Sequence, residues 1–365
     1  MNKIKVDLVA AARPNFMKIA PLFHELIKHD NFEVRFVHAG QHYDFNMSQS
    51  FLNDLKLPDP YVHLGVGSGT HGAQTGKCLI EYEKVLLAAP PACVVVAGDV
   101  NATVACALAA RKLNIKVAHL EAGLRSFDWS MPEEINRLLT DQISDLLWTH
   151  SPEADDNLIR EGIDPARISR VGNIMIDSVV MLKDKIENMQ HWQTLGLSCR
   201  GYGLLTLHRP SNVDHFTRLE RIVDILISSA HMLPLVFPVH PRTKHHLKQF
   251  NLWGKLASCQ FITLLEPLPY MEFMSLAFGC RLVITDSGGL QEETTFLGIP
   301  CLTMRNNTER PITVREGSNK LTNFDQLEID IQKVLDGNWD TGACPKLWDG
   351  NTSQRVAHDI AQMAI

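Results

Sequence analysis

The chain is 365 residues long, 45% apolar and 21% charged, with a formal net charge of −6 at pH 7, which predicts two domains with real cores and excludes a disordered chain. A mildly acidic protein is a poor electrostatic binder of nucleic acid or anionic membrane, so any phosphate it holds must meet local positive groups. None of its eight cysteines forms a Cys-x-x-Cys pair and several sit in apolar runs, such as Cys93 in ACVVVAG and Cys301 in GIPCLTM, which reads as reduced thiols of a cytoplasmic protein rather than a disulfide or zinc framework.

At the N-terminus a short apolar run follows Lys3 and Lys5 and is broken by Arg13 and Pro14, too early for a secretory signal; no stretch approaches the length of a membrane span. The first half then alternates strand and helix signals. Apolar runs predict buried parallel strands at 6–12, 34–39, 93–97, 117–120 and 146–149. Between them, helical patterns cover 17–28, 102–113 and 133–147, the first with Pro14 in its opening turn. The second half repeats the grammar, with strands at 203–207, 235–239, 261–265, 282–285 and 301–304 and helices at 216–229, 244–252, 270–277 and 290–296. Alternating β and α elements imply parallel sheets covered by helices. The predicted class is α/β, with two Rossmann-like domains facing across a cleft. Residues 1–172 form the first, with a last helix at 352–365 packing back onto it, and residues 173–351 form the second, the hinge lying near Val171–Asn173.

In such sheets ligands bind beyond the carboxyl ends of the strands, and the chemically informative residues cluster there. After the first strand, AARPNFMK places Arg13 and Lys18 at a helix start, which suits an anion. Asp99 follows an apolar strand in GDVN, either as a helix N-cap or as a cleft carboxylate. In HLEAGLR, Glu121 interrupts the end of a strand that should be buried, where a carboxylate is paired or functional. In MPEEINR, Glu133 and Arg137 stand four apart and share a helix face. In the second half, THRPSN puts His208 and Arg209 at a strand end, suited to a departing phosphate, and PVHPR puts His240 at the equivalent place one strand later. The most specific pattern is TDSGGLQEE. Ser287 and the amides of Gly288 and Gly289 would hold a diphosphate, and Glu293, one turn into the helix, would accept ribose hydroxyls. Arg310 in NNTERP could close over sugar or phosphate. His245 and His246 are adjacent, point different ways on a helix, and read as surface residues; no metal site is evident.

Taken together and in order, ARPNFMK, GQHYDFNMS, HLEAGLRS, PEEINR, HRPSN, SGGLQEE and TERP resemble the non-hydrolysing bacterial UDP-N-acetylglucosamine 2-epimerases over most of the chain. The resemblance implies a glycosyltransferase-B-like fold, a UDP site on the second domain, a homodimer and no cofactor. It also implies interconversion of UDP-GlcNAc and UDP-ManNAc by anti elimination of UDP to 2-acetamidoglucal and re-addition, supplying precursors of cell-surface polysaccharide. Carried over by motif, Asp99, Glu121, Glu133 and His208 are the catalytic residues. Arg13, Lys18, Arg137, Ser287, Gly288, Gly289, Glu293 and Arg310 bind substrate, and Gln41, His42 and His240 are candidate regulatory residues. The sequence departs from many members at Ala11, where they have glycine, and at Arg209-Pro210-Ser211-Asn212, where some have Arg-Arg-Glu-Asn. The rivals are a hydrolysing 2-epimerase, a 2-epimerase of a UDP-diacetamido sugar, a glycosyltransferase of the same fold, and a catalytically silent nucleotide-sugar sensor.

Overall fold

A computed structural model describes residues 3–40 and 52–363. The chain divides into two compact units, Met1–Met181 with Lys346–Ile365, and Leu182–Pro345. Among the described residues, no helix is long and apolar enough to cross a membrane.

The first unit is built on a parallel sheet of seven strands: β1 (Ile4–Ala10), β2 (Phe32–His38), β3 (Val62–His63), β4 (Cys93–Ala97), β5 (Lys116–Leu120), β6 (Leu146–Thr149) and β7 (Ile168–Arg170). Their order is β3-β2-β1-β4-β5-β6-β7. All five residues of β4 are buried, as its apolar sequence requires of a strand covered on both faces. Helices Arg13–Leu26, His71–Ala88 and Asn101–Lys112 follow β1, β3 and β4. The Ala-rich face of the last packs into a core that includes Val94, Val96, Tyr82 and Leu86.

The second unit repeats the plan with six parallel strands: β8 (Gly203–Thr206), β9 (Leu235–Pro238), β10 (Ile262–Leu265), β11 (Leu282–Thr285), β12 (Cys301–Thr303) and β13 (Asn319–Leu321). The order is β10-β9-β8-β11-β12-β13. In both sheets the order of strand addition therefore reverses once, between β1 and β4 in the first and between β8 and β11 in the second. The crevice for a ligand in a doubly wound sheet opens at such a point. Asp99 and the Ala11–Arg13 turn stand at the first reversal; His208 and Ser287 stand at the second.

The boundary between units falls later than Val171–Asn173, inside the continuous helix Ile174–Met189. The first half of that helix is anchored to the first unit: Ser178 Oγ donates to the carbonyl of Met17, and the Asp177 carboxylate accepts the N–H groups of Thr352 and Ser353 at 3.1 and 2.7 Å. The latter contact caps the helix Thr352–Met363, which packs on Arg13–Leu26. The expected helix at 133–147 ends at Ile143, because β6 must begin at Leu146 to pair with β5. Trp348, in the returning tail, is buried, with Nε1 donating to the carbonyl of His150 at 2.9 Å. Loss of this ring leaves a large cavity, so Trp348→Ala should cost about 3–5 kcal/mol in denaturant unfolding; a cost under about 1 kcal/mol would show that the tail is no part of the core.

Candidate active site

In the first unit the β1 turn is fixed by Asn15. Its Oδ1 accepts the N–H of Ala12 at 3.1 Å, and its Nδ2 donates to the carbonyl of Ala97 at the end of β4, 2.9 Å away. One turn further on, buried Lys18 forms an ion pair with buried Glu121. Gly98, at φ +70°, makes room for that pair, since a Cβ there would stand 2.9 Å from Lys18 Nζ. Glu121 itself is left-handed at φ 74°, an uncommon conformation for a side chain larger than Asn. It is held there by the N–H groups of Glu121 and Ala122, which both donate to the carbonyl of Trp148 at 3.1 and 3.0 Å. Backbone strain of this kind collects at functional sites.

Asp99 is not a cap: the N-cap of the following helix is Val100. Its carboxylate instead accepts Arg137 Nη1 at 2.5 Å. Arg137 does not pair with Glu133, although the shared helix face would allow it. Its Nη2 and Nε reach Glu134 at 2.5 and 3.2 Å. The reason is packing: Glu134 and Arg137 lie on the buried face of the helix Pro132–Ile143, whereas Glu133 lines a hollow of about 290 Å³ with Asp99, His71, Asn101 and Asn136. Glu134 also accepts the N–H groups of Ser126 and Phe127 at 2.9 and 3.0 Å. Burial pushes its carboxyl up, but the Ser126 N–H and Arg137 outweigh this and hold it below the usual range. The sequence reading passed over Glu134, although its place one residue from Glu133 was a signal.

In the second unit the organising group is Asp286, also missed. It is fully buried and accepts the N–H groups of His208 and Arg209 at 3.1 and 2.9 Å and the Asn212 amide at 3.0 Å, while His208 Nδ1 stands 3.1 Å away. Burial raises its carboxyl, yet His208 and Asn212 bring it below the ordinary value. The ring of His240 lies 5.3 Å from that of His208, and its Nδ1 caps the helix Pro241–Gln249. Burial, with His208 close by, lowers the His240 pKa. His246 is not a free surface residue: it pairs with Asp214 at 3.2 Å and stacks on Phe250.

Ser287 is the N-cap of the helix Gly288–Leu297, and its hydroxyl makes no capping bond. The first amides of a helix have no partner within it and form a ready anion site. A Cβ at Gly288 would meet Arg310 Nη1 at 2.8 Å, whereas beside Gly289 the space is open. Arg310 reaches Glu292 at 3.0 Å and Glu309 at 3.4 Å. Glu309 also holds Arg305 at 2.6 Å and Arg209 at 3.3 Å; its carboxyl is desolvated, but Arg310 and Arg305 pull it down to about 2. Glu293 is buried, accepts the Tyr270 hydroxyl at 2.7 Å, and is pushed up to about 7 by burial. The Arg13 side chain, Gln41 and His42 lie outside the described residues, as does most of the GQHYDFNMS motif. Among the described residues no cluster of His, Cys, Asp and Glu suits a metal ion.

A family model described as UDP-N-acetylglucosamine 2-epimerase matches residues 24–361. A UDP-N-acetylglucosamine 2-epimerase of Methanocaldococcus jannaschii is 47% identical over 345 residues, 92% of this chain and 94% of that protein. A UDP-2,3-diacetamido-2,3-dideoxy-D-glucuronate 2-epimerase of Pseudomonas aeruginosa is 41% identical over 99% of this chain and 100% of its own length. The crystal structure of Methanocaldococcus jannaschii UDP-GlcNAc 2-epimerase in complex with UDP-GlcNAc and UDP matches with a TM-score of 0.86 at 43% identity, covering 98% of this chain and 100% of that one.

The environment of Glu293 is testable without a ligand. Its folded value, about 7, lies above its ordinary 4.5, so folding penalises the ionised form. The penalty is absent below pH 4.5, grows up to pH 7 and is complete above it. Glu293→Gln should therefore stabilise the chain at pH 8 relative to its effect at pH 5 in thermal unfolding; an effect equal at both pH values would disprove the buried-carboxyl assignment.

Proposed function

Because the chain belongs to the UDP-N-acetylglucosamine 2-epimerase family, we propose that it interconverts UDP-GlcNAc and UDP-ManNAc by anti elimination and re-addition of UDP. A hydrogen on C2 beside an acetamido group is not acidic, so direct deprotonation is a poor route. In the elimination, the C1–O bond breaks as the C2 proton is taken, and the C1=C2 double bond of 2-acetamidoglucal forms. UDP then adds back at C1 and a proton is returned to the opposite face of C2.

The observation that carries this reading is the distribution of charge at the two strand-end sites. The first unit gathers carboxylates, Asp99 held by Arg137 and Glu121 held by Lys18, with Glu133 facing the hollow beside Asp99. We assign these three to removing and returning the proton. The second unit gathers anion-binding groups. We assign Ser287, Gly288, Gly289 and Arg310 to the diphosphate, His208 to the departing oxygen, and Glu293 to the ribose hydroxyls. Arg13 and Lys18 would serve the substrate from the first unit, and Gln41, His42 and His240 a regulatory site. The same reading makes the enzyme a cytoplasmic homodimer supplying polysaccharide precursors, and sedimentation reads out the dimer. The Pseudomonas aeruginosa relative supports a second reading, in which the sugar is a UDP-diacetamido uronic acid.

With UDP-GlcNAc in deuterium oxide, the recovered UDP-sugars should carry deuterium at C2, and UDP-ManNAc should appear without stoichiometric free UDP. Failure to label C2 in an active preparation excludes the elimination, and turnover of only the diacetamido sugar selects the second reading. Asp99→Asn and Glu121→Gln should each lower turnover by about 10²–10⁴-fold, with UDP affinity retained; near-normal turnover in both removes them from the catalytic set.

A further inference from the structure

The helix Pro132–Ile143 carries one more buried carboxylate, which the reaction as written does not use. Asp141 is fully buried. Its Oδ1 stands 2.6 Å from Nδ1 of His119, and its Oδ2 accepts from Arg125 Nη2 at 2.7 Å and from the N–H of Gly123 at 3.1 Å. The ring of His119, also fully buried, spans to a second acceptor, the carbonyl of Gly98, 2.9 Å from Nε2. Arg125 is fixed from its other side by two bonds to Glu161, at 2.8 and 2.6 Å. Burial raises the Asp141 carboxyl, but His119 and Arg125 outweigh it and keep it below the ordinary range. The network is fully hydrogen-bonded, the condition under which buried polar groups rigidify a core.

Its position is what distinguishes it from a generic buried network. Gly98 immediately precedes Asp99. His119 lies two residues before Glu121, and Gly123 two residues after it. Asp141 lies on the same helix as Glu133 and Arg137. The backbone around Glu121 is left-handed at both Glu121 and Gly123, at φ 74° and 80°, and a Cβ at Gly123 would collide with the carbonyl of Ala154 at 2.4 Å. Glu121, a non-glycine residue in that conformation, keeps it only where its surroundings over-determine it. The Gly123 N–H bond to Asp141 is one such restraint.

We propose that Asp141 and His119 are positioning residues, a buried strut that holds the backbone at Gly98 and Gly123 and thereby sets where the Asp99 and Glu121 carboxylates stand. The proposal rests on the epimerase reading for what those carboxylates do. Neither residue exchanges protons with the sugar; each acts through the segment it clamps. Displacement of a reacting group by about 1 Å costs on the order of 100-fold in rate, so a loosened strut depresses the chemical step while leaving UDP binding untouched.

The test compares Asp141→Asn, His119→Gln and the control Glu161→Gln, which touches Arg125 from the outer side. For each variant, kcat and KM with UDP-GlcNAc, the UDP dissociation constant, thermal unfolding, and 2-acetamidoglucal released per turnover by proton NMR are measured. In the folded Asp141 and His119 variants, kcat falls about 100-fold, UDP affinity is unchanged, and the share of turnovers that release the glycal rises because re-protonation is misplaced. The Glu161 variant keeps its kcat and its glycal share. If Asp141→Asn does not unfold cooperatively, His119→Gln is judged alone by the same criteria. The proposal is overturned by kcat within about threefold of the unsubstituted chain, or by a fall in kcat matched by an equal loss of UDP binding, which marks a structural role only. Failure of the underlying reading shows separately, as an unsubstituted chain that binds UDP and turns over no UDP-N-acetylhexosamine.

Discussion

Charge collected at the carboxyl edge of a parallel sheet must be compensated on the spot, and this constraint organises both units. A buried carboxylate without a partner is costly, and here the buried Glu121, Asp286 and Glu309 and the half-buried Asp99 all have specific partners. Glu121 has Lys18, Asp99 has Arg137, Asp286 has His208 with a set of N–H donors, and Glu309 has three arginines. Such pairs contribute little net stability by themselves, because desolvation offsets their attraction. What they provide is a fixed orientation for groups that would otherwise turn to solvent. The glycines belong to the same logic: Gly98 lies against the tip of Lys18 and Gly288 against that of Arg310, so that a methyl group at either would displace the cation.

Much of this was legible in the sequence, and the limits have physical causes. The central strands announced themselves because a strand covered on both faces is a run of apolar residues; Cys93–Ala97, Leu146–Thr149 and Leu282–Thr285 fall where those runs do. Of the four edge strands, β3, β7 and β13 were not foreseen. They are two or three residues long and carry His63, Arg170 and Lys320, since an edge position needs no apolar run. The α/β class and the two parallel sheets followed from the order of elements, as the match to solved 2-epimerase structures bears out.

At the site, the motif residues could be named but their partners could not. Helical spacing says which side chains can meet, and it allowed Glu133 to pair with Arg137; packing gave Arg137 to Glu134 and Asp99 instead. Tyr270 and Asp141 reach their partners across 23 and 22 residues, and no local pattern connects them. Glu293 was identifiable from the glycine-rich turn, whereas the burial that shifts its titration to about 7 is a property of the folded unit alone.

The return of residues 346–365 to the first unit makes the second unit an insertion within it. Trp348 and the Thr352–Met363 helix complete a core whose strands all lie before residue 171. Residues 182–345 are contiguous and close on themselves. The first unit, by contrast, must bring together segments from both sides of that insertion, and the entropy of closing so long a loop is a cost the second unit does not carry.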